Sequence, residues 1–121
     1  MDVKYILRAP KFPIIINLDG HVIAATPQSL PKQLSQFELG VDGSYDVIDQ
    51  SGEGFGLYVY EDSFAISPLV VKKKWTKMEL IQLYNGRKNK ADEPAYSEKS
   101  LSAKKVDRII SDLSGLLMGV T

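Results

Sequence analysis

The chain has 121 residues, 44% of them hydrophobic and 25% charged, with one His and no Cys. That length fills one core, so a single domain over residues 1–121 is expected, and disordered, collagen-like and membrane-spanning classes are excluded. The formal charge of zero conceals a split: residues 1–71 hold four basic against nine acidic residues, 72–105 ten against four, and 106–121 one against two.

The first 71 residues read mainly as strands. In Val3–Arg8, the apolar Val3, Tyr5 and Leu7 alternate with Lys4 and Arg8, the period of a half-buried strand, and only Ile6 breaks it. Phe12–Leu18 and His21–Thr26 flank Asp19-Gly20, a dipeptide suited to the positive φ angles of a tight hairpin. Both runs are apolar throughout, which predicts a hairpin covered on both faces. Thr26 or Ser29 can cap a short helix near residues 28–39, with Leu30, Leu34 and Phe37 at helical spacing and Gly40 as its stop. A meander follows: Tyr45–Asp49, Phe55–Tyr60 and Phe64–Val71, with Pro68 marking the last strand as an edge or as bulged.

Helical signals take over after Val71. Thr76 and Glu79 have capping-box spacing, and Met78–Tyr84 supplies a wide apolar stripe ending at Asn85-Gly86, which predicts a helix over 76–85. Residues 87–97 are polar and aperiodic and read as a mobile linker. Val106, Ile109, Ile110, Leu113, Leu116 and Leu117 share one stripe of a final helix near 100–117. Strands early and helices late define an α+β fold: an antiparallel sheet of about five to six strands packed with two C-terminal helices.

The chemistry begins with exclusions. Without Cys there is no disulfide, thiolate nucleophile or thiolate metal site, and one His denies the chain a two- or three-His metal centre. No cofactor is expected. His21, two residues from Asp19, could serve as a general base oriented by a carboxylate, but a hairpin residue beside a turn Asp explains the pair as well. Gly52-Glu53-Gly54-Phe55-Gly56 lacks the third spaced glycine of a dinucleotide loop and leads into a strand, so it reads as a bulged hairpin. From Asp49, the order Asp-x-Ser-x-Glu-Gly imitates a calcium loop but places Tyr60 where the bidentate Glu belongs.

The most informative stretch is Lys72-Lys73-Lys74-Trp75-Thr76-Lys77, with Arg87, Lys88 and Lys90 one short helix away. Clustered cations and an aromatic suit contact with a partner or with nucleic acid, although a sequence pI near 6.6 argues against a dedicated nucleic-acid domain. Tyr58 and Tyr60 share a strand face and are candidate interface aromatics. The expected function is that of a small non-enzymatic interaction or regulatory protein, binding a protein partner and self-associating as a homo-oligomer. The alternatives are a nucleic-acid-binding module using the basic 72–90 segment, and a small enzyme with His21/Asp19. With neither signal peptide nor membrane span in view, a cytoplasmic location is expected.

Overall fold

The computed structural model describes residues 2–90, 95–97 and 103–119. Among these residues the elements in chain order are β1 (Asp2–Tyr5), β2 (Ile14–Leu18), β3 (His21–Ala25), α1 (Leu30–Leu34), β4 (Ser44–Ile48), β5 (Gly54–Val59), β6 (Ser63–Ser67), α2 (Lys77–Asn85) and α3 (Val106–Leu117). The six strands form one curled, mostly antiparallel sheet in the order β1-β6-β5-β4-β2-β3. The class is α+β.

The sheet buries both faces where its strands are apolar throughout. Ile14, Ile16 and Leu18 of β2 join Val47, Phe55, Leu57, Val59, Phe64 and Ile66 in an inner core that α1 closes with Leu30 and Leu34. Ile15, Val22, Ala24 and Ile48 point the other way, onto Leu80, Ile81 and Tyr84 of α2 and Ile109, Ile110 and Leu113 of α3. The strand period of two therefore divides β2 between two cores. Asp19 (φ 53°) and Gly20 (φ 97°) form the β2–β3 turn, and the Asn17 side chain accepts the Gly20 N–H at 2.7 Å.

Three expectations need correction. The sheet is not wholly antiparallel, because β1 lies parallel to β6, Tyr5 beside Ile66. The strand before Pro68 is consequently internal and not an edge; it ends at Ser67, where proline can no longer donate to the ladder. The helix near 28–39 shrinks to Leu30–Leu34, and tighter turns at Gln36 and Phe37 carry the chain on so that Phe37 and Leu39 pack onto the inner core. The Phe12–Pro13 peptide is cis.

The helix signals translate more directly. The Thr76 hydroxyl accepts the Glu79 N–H at 3.2 Å while the Glu79 carboxylate accepts the Thr76 N–H at 2.9 Å, a complete capping box. For the last helix, the residues 100–102 of the expected span lie outside the described residues, and α3 begins after Lys105, whose backbone is extended. Tyr96 ties the preceding segment down. Its backbone N–H donates to the Asn85 side chain at 2.8 Å, its carbonyl accepts from Asn85 at 3.2 Å, and its hydroxyl donates to Asp112 at 2.7 Å. Lys104 reaches the same carboxylate at 2.7 Å and Arg108 its other oxygen at 3.1 Å. Burial pushes the Asp112 carboxyl up, but the Lys104, Tyr96 and Arg108 hydrogen bonds outweigh it and hold it below its ordinary value. Within the span 87–97, Lys88 donates its N–H to the Gly20 carbonyl at 2.7 Å, and Tyr96 packs on Tyr84. Residues 91–94 lie outside the described residues.

Candidate functional site

The basic segment is built around the glycines of the β4–β5 hairpin. Beyond Ser67 the chain swings away from β5 and then returns, so that the Gly54 N–H donates to the Lys73 carbonyl and the Trp75 N–H to the Gly52 carbonyl, each at 2.9 Å. A Cβ on Gly54 would stand 1.9 Å from the Lys72 carbonyl oxygen, so only glycine admits this crossing. Close backbone approach, and not phosphate binding, accounts for the glycine at this position.

The cations of this segment are largely occupied or dispersed. The Lys72 ammonium pairs with Glu79 and lies 4.7 Å from the Trp75 ring centroid. The hydrogen bond from Lys72, followed by that from the Thr76 backbone, pulls the Glu79 carboxyl down to about 2. Lys73 donates to the Pro68 carbonyl at 3.1 Å. Arg87 is buried at the end of α2; its guanidinium lies 3.8 Å from the Tyr84 ring centroid and donates to the Tyr84 carbonyl at 2.7 Å. Lys77 and Lys90 are half-buried, whereas Lys74 and Lys88 are exposed. Lys73, Lys74 and Trp75 are brought together along a cavity of about 400 Å³, which Glu53 and Val106 also line. Arg87, Lys88 and Lys90 are not part of that lining.

The tyrosine pair is likewise separated. Tyr58 folds back over Gly56 and donates its hydroxyl to the Leu69 carbonyl at 3.2 Å. Tyr60 is exposed and lines a different cavity with Val41, Leu34 and Phe64.

The catalytic and metal candidates find structural roles. His21 packs edge-on against Phe37, with centroids 4.9 Å apart, and no hydrogen bond joins it to a carboxylate among the described residues. Asp49 is buried, and its carboxylate accepts from the N–H groups of Lys11, Ser51 and Glu53 and from the Ser51 hydroxyl. Those donors organise the hairpin loop and consume the lone pairs a calcium ion would need. Among the described residues, no group of three or more His, Asp or Glu side chains is placed to hold a metal. No helix among them is long and apolar enough to cross a membrane.

The two margins of the sheet supply features that local sequence patterns did not reveal. Beside β3, the Asn89 side chain accepts the Val22 N–H at 3.0 Å and donates to the Val22 carbonyl at 2.9 Å, imitating one residue of a further strand. Beside β1 there is no such cover among the described residues. The Ile6 N–H donates to the Ile66 carbonyl at 2.9 Å, which by alternation turns the N–H and C=O groups of Val3 and Tyr5 outward. The strand ends in exposed apolar residues: Tyr5, Ile6, and a Leu7 that is 75% exposed. Leu7 holds φ 67° in a three-residue turn closed by the Arg8 N–H on the Ile6 carbonyl at 2.8 Å, a strained conformation for a side chain with Cβ. Leu69 and Val71, which leave β6 at the same end of the sheet, are 63% and 102% exposed. The break in alternation at Ile6 was the one sequence signal that pointed here.

Comparison of the chain with family models, with curated proteins and with solved structures finds no match. The functional reading therefore rests on the geometry alone.

Proposed function

We propose that this chain is a non-enzymatic interaction protein of the cytoplasm that binds a protein partner through the β1 edge and self-associates. One observation carries the reading: an edge strand with no cover among the described residues runs directly into exposed Tyr5, Ile6 and Leu7, with Leu69 and Val71 at the same end. Unpaired edge groups beside apolar side chains invite a further strand, and soluble proteins ordinarily blunt or cover such an edge. Val3→Pro tests the reading, because it removes an outward N–H without touching the β1–β6 ladder. Partner proteins recovered by the wild-type chain should be lost with V3P while thermal unfolding stays unchanged. Equal recovery by both chains would overturn it.

A second reading, nucleic-acid binding, draws support from Lys73, Lys74 and Trp75 along their shared cavity. It is weakened by the engagement of Lys72 with Glu79 and the burial of Arg87. It requires low-salt binding to single-stranded nucleic acid that K73E/K74E abolishes; a flat titration at low salt would sink it.

A further inference from the structure

The geometry points to a specific occupant of the open edge: β1 of a second copy of this chain, antiparallel, with the two-fold axis passing beside Val3. This rests on the interaction reading above and names its partner.

The Ile6 N–H is committed to β6, so the outward-facing residues of β1 are Val3 and Tyr5. A two-fold axis in an antiparallel pair can fall at a residue that exchanges both of its hydrogen bonds with its own copy, here Val3 or Tyr5. It can also fall at the non-hydrogen-bonded Lys4 between them, where it would set Lys4 directly against Lys4 of the other copy, a like-charge pair that disfavours that register. Side-chain charge also chooses between Val3 and Tyr5. With the axis at Val3, Asp2 of one copy stands opposite Lys4 of the other, and symmetry makes the pairing twice. These are the close, non-hydrogen-bonded positions of the ladder, where side chains interact most strongly. Both residues are exposed on the strand, and neither has an ion-pair partner among the described residues.

With the axis at Tyr5, the fit deteriorates. Lys4 would oppose Ile6, and Asp2 would oppose Arg8, whose guanidinium is already paired with Glu53 and lies 5.0 Å from the Phe55 ring centroid. The positive φ of Leu7 also carries the chain out of the strand before that ladder could form. The sequence Asp2-Val3-Lys4 is thus self-complementary about its centre. Val3 itself is half-buried and packs on the inner core, so it presents its outward peptide groups from a fixed position.

Charge exchange tests both the partner and the register. Asp2→Lys makes both facing pairs of the dimer positive, and Lys4→Asp makes both negative. Each variant alone should have a dimer dissociation constant raised about tenfold or more, read by sedimentation or light scattering across concentration. Mixed in equal amounts, the two should recover the wild-type association as a heterodimer, because each Asp then meets a Lys. Both substitutions are on the surface, and far-ultraviolet circular dichroism should be unchanged. A wild-type chain that stays monomeric at every soluble concentration overturns the inference, as does a dimer indifferent to D2K and K4D. Association that is weakened by each variant but not restored on mixing also overturns it, since the register is then wrong. A monomer that still recovers a different protein in a V3P-sensitive way overturns this inference alone; a monomer that recovers nothing overturns the interaction reading with it.

Discussion

The two margins of one sheet are treated in opposite ways. At β3, the side chain of Asn89 supplies both partners for the outward peptide groups of Val22, and the Lys88 N–H is bonded to the Gly20 carbonyl beside it. At β1, Val3 and Tyr5 turn their peptide groups away from β6, next to exposed Ile6 and Leu7. A fold that closes one edge with a residue 67 positions away in sequence, yet sets no described residue against the other, makes that second edge the place to look for a partner. The difference also follows from chain order: the closed edge is covered by the segment that continues from α2, whereas among the described residues β1 pairs with β6 alone.

The comparison can be broken most severely on its closed side. Ile110 of α3 is fully buried against the β2–β3 hairpin and α2. Ile110→Ala should cost about 2–5 kcal/mol in urea unfolding through lost burial and the cavity left behind. A loss under about 1 kcal/mol would show that α3 is not what holds this side. Asn89→Ala comes next. It strands the N–H and carbonyl of a buried Val22, for an expected loss of about 1–3 kcal/mol and faster amide exchange at Val22. Unchanged exchange there would mean that the edge is closed by something other than Asn89.

The acid response is a milder probe. The Glu79 carboxyl is ionised down to about 2 in the fold, against an ordinary value near 4.3 in an unfolded chain. A depressed carboxylate contributes stability above its unfolded value, and that contribution is lost as pH falls toward about 2. E79Q should therefore lower stability at neutral pH and flatten the decline between those two values. A variant whose acid unfolding profile overlies the wild type would remove the Lys72–Glu79 pair from the account. The smallest effect on the fold belongs to the open edge. Lys4→Asp should leave monomer stability within about 0.5 kcal/mol, as for other surface substitutions, while association weakens.

Much of the closed side was legible in the sequence, because its signals are local. Asp19-Gly20 announced the hairpin, Thr76 with Glu79 the start of α2, and the stripe from Val106 to Leu117 the last helix. The strand runs 12–18 and 21–26 were apolar on both faces because two cores flank them. What escaped was set by distant parts of the chain. Nothing in Val3–Arg8 specifies a parallel neighbour 61 residues later. The glycine at position 54 is explained only by a carbonyl from Lys72. Arg87 reads as a surface cation until the Tyr84 ring is placed against it. The charge split also resolved locally: Arg8 pairs with Glu53 inside the acidic segment and Lys72 with Glu79 inside the basic one. Of the basic residues at 72–90, Lys73 and Lys74 line one cavity with Trp75, while Arg87 is buried.

Amide hydrogen exchange at Val3 and Val22, followed across chain concentration, tests the contrast most directly. Val22 should be protected at every concentration, because its cover is intramolecular. Val3 should exchange freely in dilute solution and gain protection in step with the dimer seen by light scattering. A Val3 amide that remains unprotected once the chain has dimerised, or that is protected equally at all concentrations, would contradict the account.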